Sequence, residues 1–259
     1  MTIAEQLTRL PVNAGPNRLE AFDNWTQGRT LYGGASALIA FSAAASLADD
    51  LPPLRSGQVT FVGPPSPDIA IRAEIVRRGR SVAQIRADLV CDDKPVLSSL
   101  WLFGEGRDEN AAYPPPEAPG GIGEPGEAET VMSDKGPAFI RHNFEIRRAQ
   151  DASGPGAPVV RRWARLNGES GLDPVQELVL MGDVLPPGSM RQMKRQGPLS
   201  SINWHINLLG TDIATTDGWW LAETRGEWAG EGYSSERMSL WNSEGRQVVS
   251  GLQSVAIFG

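Results

Sequence analysis

One carboxylate stands alone in an otherwise apolar segment of this chain, and its type and position fit it to act as a base. The segment is residues 173–185, DPVQELVLMGDVL, and the carboxylate is Asp183. Burial raises the pKa of a carboxyl group, which makes it a better base near neutral pH. The alternative interpretation is a solvated aspartate at a frayed helix end, where the helix dipole disfavours an anion.

The other side chains with reactive chemistry are few and scattered, which excludes several kinds of site. Cys91 is the single cysteine, and the two histidines, His142 and His205, form no Cys/His cluster of the kind that binds structural zinc. No GxSxG motif of a serine hydrolase occurs. Residues 121–126, GIGEPG, fit the pattern GxGxxG, but no predicted strand precedes them and no predicted helix follows. We therefore expect no metal and no cofactor.

Composition excludes further classes of function. The net charge is −7 over 259 residues, so no general basic field attracts nucleic acid or an anionic membrane. The longest apolar stretch, residues 35–47, is too short and too rich in serine to span a bilayer. The N-terminal MTIAEQLTRLPVN lacks the features of a secretory signal, which predicts a cytoplasmic protein.

Two predicted buried helices organise the chain, and Asp183 lies in the second. Asp173 can cap that helix, Pro174 suits its first position, and Gln176 stands three residues after the cap. The first predicted helix, residues 34–50, is rich in alanine, and both are apolar on nearly all faces, so other structure must surround them. Period-two patterns predict strands around the helices. They are residues 18–25, 54–62, 69–77, 82–91, 96–103, 138–148, 158–166, 200–209, 218–228, 233–241 and 247–258.

The order of a helix followed by four strands occurs twice, which indicates an internal repeat. LRSGQVTF at residues 54–61 is mirrored by LSSINWHI at residues 199–206, and both halves end in Phe-Gly. The stretch between them is rich in proline and glycine and reads as a linker. We predict an α+β fold with domains at residues 1–104 and 137–259, joined by a linker at residues 105–136 that is poorly ordered or runs over the surface.

In this order the elements resemble the double hot-dog acyl-CoA thioesterases of the thioesterase II type, in which an antiparallel sheet wraps a central helix in each half. The resemblance covers residues 25–259 except the linker. In the first half it rests on GRTLYGG (28–34), LPPLRSGQVTFVGP (51–64) and RRGRSVAQIRADL (77–89). It implies hydrolysis of acyl-CoA to a free acid and CoA, without a cofactor.

The resemblance also implies which residues form the site. That family holds a water molecule with an Asp on the second helix, a Thr or Ser on the next strand and a Gln on the last strand. The matching positions here are Asp183, Ser201 and Gln253. Backbone N–H groups near Gly33 and Gly34 would stabilise the oxyanion, because a helix N-terminus favours negative charge and glycine allows close approach.

Two departures from the family pattern leave the substrate open. Ser201 stands where the family usually has Thr, and Ile202-Asn203-Trp204 replaces the usual Ile-Asp-His. One alternative function is a non-catalytic protein that binds acyl-CoA or an acyl chain. A hot-dog hydratase is a weaker alternative, because that chemistry uses a helical His that neither predicted helix contains. The arginines at 77, 78 and 80 and those at 161 and 162 are all candidates to meet the CoA phosphates, and assembly into a homo-oligomer is also open.

Overall fold

A computed structural model describes residues 1–131, 136–150 and 155–258 of the chain. The first half contains two α-helices, one 3-10 helix and seven strands. They are α1 Ile3–Leu7, β1 Asn17–Arg18, the 3-10 helix Glu20–Trp25, β2 Thr26–Gln27, β3 Thr30–Leu31, α2 Gly33–Ala45, β4 Leu54–Phe61, β5 Asp68–Arg78, β6 Val82–Cys91 and β7 Lys94–Gly104.

The second half repeats this order of a helix followed by four long strands. Its elements are α3 Ala138–Asn143, β8 Phe144–Arg148, β9 Val159–Leu166, α4 Pro174–Met181, the 3-10 helix Gly188–Gln192, β10 Leu199–Leu208, β11 Trp220–Gly230, β12 Tyr233–Trp241 and β13 Gln247–Ile257. Within the described residues, no helix is long and apolar enough to cross a membrane.

One antiparallel sheet runs through both halves. Its strand order is β1-β5-β6-β7-β4-β10-β13-β12-β11-β9-β8, while β2 and β3 form a separate small ribbon. The halves join where β4 pairs with β10, for example at Gln58 opposite His205 and Thr60 opposite Asn203. Because β4 and β10 are each the first strand after a central helix, this junction places α2 and α4 side by side, and the two helices are in contact.

Helix α2 is the buried core of the first half. Every residue from position 34 to position 44 is buried, and most of them are alanine or serine. Small side chains on all faces let strands β5, β6 and β7 and helix α4 approach the helix together. The sequence prediction of a fully surrounded helix is therefore correct, although the helix ends at Ala45 rather than at residue 50.

Helix α4 begins as its sequence indicates and ends earlier than predicted. The Asp173 side chain accepts hydrogen bonds from the N–H groups of Val175 and Gln176, and the Gln176 side chain completes a capping box. The helix ends at Met181, with Gly182 as its C-cap. The prediction that Asp183 lies in this helix is therefore wrong, because the last helical residue is two positions before it.

Two predicted strands contain helical turns. Residues 18–25 were expected as a strand, but only the first of them is in β1 and residues 20–25 form a 3-10 helix. Residues 138–148 begin as helix α3, which Pro137 precedes, and become extended only at Phe144. Each segment buries a large apolar side chain that lies in a helical turn, Phe22 in the first and Phe139 in the second. A sequence pattern with a period of two does not predict such a turn.

The predicted linker crosses the surface of the second half where it is described. Most of residues 105–131 are exposed, but Ala118, Ile122 and Ala128 pack against a cluster of buried tryptophans. In addition, the indole N–H of Trp163 donates to the Gly123 carbonyl at 3.0 Å. Residues 132–135 of the linker lie outside the described part of the chain. The domain boundaries at 104 and 137 stay a prediction.

Candidate active site

The structure brings together the three side chains that the resemblance singles out. Asp183 follows helix α4, Ser201 lies on β10 and Gln253 lies on β13. The Gln253 side-chain amide donates one hydrogen bond to Ser201 Oγ and another, at 3.4 Å, to Asp183 Oδ1. Gln253 is only 4% exposed, so the surrounding protein fixes the position of its amide. From that position the amide contacts both Ser201 and Asp183.

A β-bulge in β10 determines which way Ser201 faces. Ser201 pairs with Val255 and Asn203 pairs with Ser254, so Ile202 is an extra residue in the strand. Beyond the bulge, Trp204 points into the core. Simple alternation from Trp204 would turn residue 202 inward, but the inserted residue reverses the phase. Ile202 is therefore exposed, and Ser201 reaches Gln253.

The Asp183 carboxylate lies against the N-terminus of helix α2, which belongs to the other half of the chain. A Cβ atom at Gly33 would overlap the Asp183 carboxylate, and one at Gly34 would overlap the Leu180 carbonyl and the Tyr32 ring. Glycine is needed at both positions because the two helix ends approach so closely.

The first N–H groups of α2 are available to a ligand. No side chain caps this helix, and within the described residues the N–H groups of Gly33, Gly34 and Ala35 make no hydrogen bond. Such groups at a helix start carry partial positive charge and bind anions. The carboxylate therefore lies next to these donors.

Burial changes the acid–base character of Asp183. Protein atoms surround its carboxyl group, which raises its pKa to about 7, while the hydrogen bond from Gln253 opposes this shift. The carboxyl group still borders a cavity that solvent can enter. Near neutral pH a substantial fraction of Asp183 is ionised, and the ionised group is a stronger base than an ordinary aspartate.

Tyr32 is a residue of the site that sequence reasoning missed. Its hydroxyl donates to the Leu180 carbonyl at 2.8 Å, which ties the residue before α2 to the last turn of α4. Burial, and after it the charge of Asp183, raises the pKa of Tyr32 well above its usual range, so the hydroxyl stays protonated. Its position within GRTLYGG was the available signal, but nothing local in that motif reveals a partner 148 residues away.

Trp204 packs against the residue that precedes Asp183. Its ring is fully buried against Gly182, where a Cβ atom would overlap the indole. The indole N–H has no hydrogen-bond partner within the described residues. This tryptophan stands where the family usually has histidine, so in this chain a bulky ring, and not a polar imidazole, packs against the residue that precedes the carboxylate.

A cavity of about 720 Å³ opens at this point. Asp183 and Ser201 line it, together with residues of the first half such as Tyr32 and mainly apolar side chains of the second half such as Ile146 and Val160. A site of this volume and character fits a small molecule with an apolar part. The described part of the chain holds no cluster of His, Cys, Asp or Glu side chains suited to a metal ion.

Solved structures with the same fold cover nearly the whole chain. A conserved hot-dog protein of unknown function from Alicyclobacillus acidocaldarius superposes with a TM-score of 0.82 at 18% identity, covering 100% of this chain and 99% of the other. The tesB protein of Mycobacterium avium subspecies paratuberculosis gives 0.74 at 18% identity, with 100% of both chains covered. The acyl-CoA thioesterase II TesB2 of Mycobacterium marinum gives 0.71 at 17% identity, covering 98% and 97%. These similarities confirm the double hot-dog fold.

Family models identify the chain at the level of sequence. Residues 22–104 match the acyl-CoA thioesterase N-terminal domain, and residues 112–257 match the acyl-CoA thioesterase C-terminal domain. A comparison with curated proteins gave no match. The two matched domains follow each other in the order found in the structure, and together they include the residues of the site. The chain therefore belongs to the acyl-CoA thioesterase family and is a thioester hydrolase.

Proposed function

We propose that this chain hydrolyses acyl-CoA with a water molecule that Asp183, Ser201 and Gln253 hold and activate. The observation that carries the proposal is the convergence of these three side chains opposite the free N–H groups at the start of α2. A thioester needs an attacking water, a proton acceptor and donors for the developing oxyanion, and each requirement has a candidate group at this place.

Asp183 acts as the general base. It accepts a proton from the water while the water oxygen bonds to the thioester carbonyl carbon. Ser201 receives a hydrogen bond from Gln253, so its own hydroxyl proton is free to point to the water or the substrate. The amide and the hydroxyl thereby keep the water oriented towards both the base and the carbonyl carbon.

The tetrahedral intermediate collapses without a strong general acid. Its negative oxygen is stabilised by N–H groups of Gly33 and Gly34 at the positive end of α2. The bond from carbon to sulfur then breaks, and CoA leaves as a thiolate whose conjugate acid has a pKa of about 8.5, as for a cysteine thiol. The thiolate recovers a proton from protonated Asp183 or from solvent, and the carboxylic acid product remains.

Release of free thiol from a panel of acyl-CoA substrates tests the proposal. The panel should extend from short to long acyl chains, so that the preferred chain length is measured in the same experiment. The expected result is turnover of at least part of the panel, with a strong loss in Asp183→Asn. Binding of every acyl-CoA without release of thiol would favour the alternative of a non-catalytic binding protein.

A further inference from the structure

Arg162 brings a positive charge to the cavity that contains Asp183. It lies on β9, two residues after Val160, so both side chains are on the same face of the strand, and both line the cavity. Arg141 and Arg191 also line the cavity, whereas Asp183 is the only carboxylate among its described lining residues. Among the described lining residues, the charged side chains are therefore mostly those of arginine.

Arg162 is a half-buried arginine that has no carboxylate partner within the described residues. Its guanidinium donates to the Arg161 carbonyl at 2.6 Å, and this is its single hydrogen bond there. The neighbouring Arg161 binds Glu223, and Arg148, opposite Arg162 in the sheet, binds Glu129. Burial, and after it the charges of Arg148 and Arg191, lowers the pKa of Arg162.

This arrangement is electrostatically unfavourable for Arg162. A partly buried guanidinium loses hydration, and here nearby cations repel it without compensation from a carboxylate. An arginine in that situation gains most from an oxyanion that can take two parallel hydrogen bonds from it. The other candidates for meeting CoA lie elsewhere. Arg77 and Arg78 are exposed at the end of β5, Arg80 is exposed in the turn that follows, and Arg78 pairs with Asp50.

We infer that Arg162 is a specificity-determining residue that binds an oxyanion of the thioester substrate inside the cavity. The inference rests on the proposed function, because it places this oxyanion on the molecule that Asp183 hydrolyses. Two parts of an acyl-CoA carry the required chemistry. One is a carboxylate at the far end of the acyl group, and the other is a phosphate of CoA.

The test compares Arg162→Met with the wild type on four thioesters. These are hexanoyl-CoA, adipoyl-CoA and the N-acetylcysteamine thioesters of the same two acyl groups. The adipoyl compounds add a terminal carboxylate at equal chain length, and the N-acetylcysteamine compounds lack the CoA phosphates. Arg237→Met is the matched control, because it removes an equal charge from an exposed arginine that pairs with Glu227.

We expect Arg162→Met to lower kcat/KM at least about tenfold for one pair of substrates, because loss of a charge-assisted hydrogen bond has an effect of about this size. If the loss is confined to the two adipoyl thioesters, the bound oxyanion is the acyl carboxylate. If it is confined to the two CoA thioesters, the bound oxyanion is a phosphate. Arg162→Lys should recover part of the loss. Equal losses on all four thioesters, no loss on any, or the same pattern in Arg237→Met would overturn the inference.

A binding measurement separates this inference from the proposed function. Thioether analogues, S-hexyl-CoA and S-(5-carboxypentyl)-CoA, cannot be hydrolysed, and calorimetry gives their Kd for the wild type and Arg162→Met. Weaker binding of at least one analogue to the variant supports the role of Arg162 even if no thioester is turned over. Equal Kd values for both analogues refute it even if hydrolysis is fast. Since Arg162 is unpaired, the variant should also keep the Tm of the wild type, and a large drop in Tm would indicate a structural role instead.

Discussion

Replacement of Asp183 by asparagine tests the base and its environment in one variant. Asparagine keeps the shape of the side chain and its contacts with Gln253, but it cannot accept the proton of the water. We expect kcat to fall by about a hundredfold or more, which is a typical contribution of a general base. In the wild type, kcat should rise with pH through an apparent pKa near 7, since burial raises the pKa of Asp183 to about 7.

The same burial predicts an effect on stability whose sign is opposite to that of an ordinary salt-bridged aspartate. The folded state binds the proton of Asp183 more tightly than the unfolded chain does, so the free energy of unfolding falls as pH rises between about 4 and 7. A pKa raised from about 4 to about 7 corresponds to at most about 4 kcal/mol. Only the part of this change above about pH 5 falls in a range from pH 5 to pH 8, so we expect at least about 2 kcal/mol there.

Urea unfolding at about pH 5 and about pH 8 measures this difference. Asp183→Asn does not titrate, so it should gain at least about 2 kcal/mol relative to the wild type between the two pH values. The thiol-release assay on the same samples gives kcat. An equal pH dependence of unfolding in both proteins would refute the argument from burial, and full activity of the variant would refute the role of Asp183 as the base.

Four further substitutions test how the base is held. Ser201→Ala should lower kcat less than loss of the carboxylate does, because Gln253 still holds the water, and the effect of Gln253→Ala should fall between those two. Both effects are measured as kcat at saturating substrate. A larger decrease in kcat for Ser201→Ala than for Gln253→Ala would contradict this order. Gly182→Ala should lower kcat at least about tenfold and destabilise the fold by about 1–3 kcal/mol, since its Cβ overlaps the buried Trp204 ring; unfolding and kcat at the wild-type level would refute it. Tyr32→Phe leaves a buried carbonyl without its donor, so we expect a loss of about 1–2 kcal/mol in urea unfolding and a lower kcat at unchanged KM; an effect on KM alone would contradict a positioning role.

Much of the architecture follows from local patterns that the sequence carries by itself. The capping box at Asp173 and Gln176 fixes where α4 begins, because its hydrogen bonds join residues three positions apart. The strand predicted at residues 82–91 is observed as β6 Val82–Cys91, because more exposed and buried side chains alternate from Val82 to Leu89. Apolar residues on all faces of α2 likewise required a wrapped helix. Such features depend on neighbours within one element, and period and propensity record them.

The site depended on contacts that no local pattern records. The bulge at Ile202, which turns Ser201 inward, arises from the register of β10 against β13 and leaves no mark in composition. Tyr32 and Leu180 meet because β4 pairs with β10 and brings the ends of the two helices together. Arg161 and Arg162 are adjacent and identical in sequence, yet one binds Glu223 while the other lines the cavity. The sequence indicated which residues can do chemistry, and the tertiary structure decided which of them share a space, because proximity between distant segments is set by sheet register and helix packing.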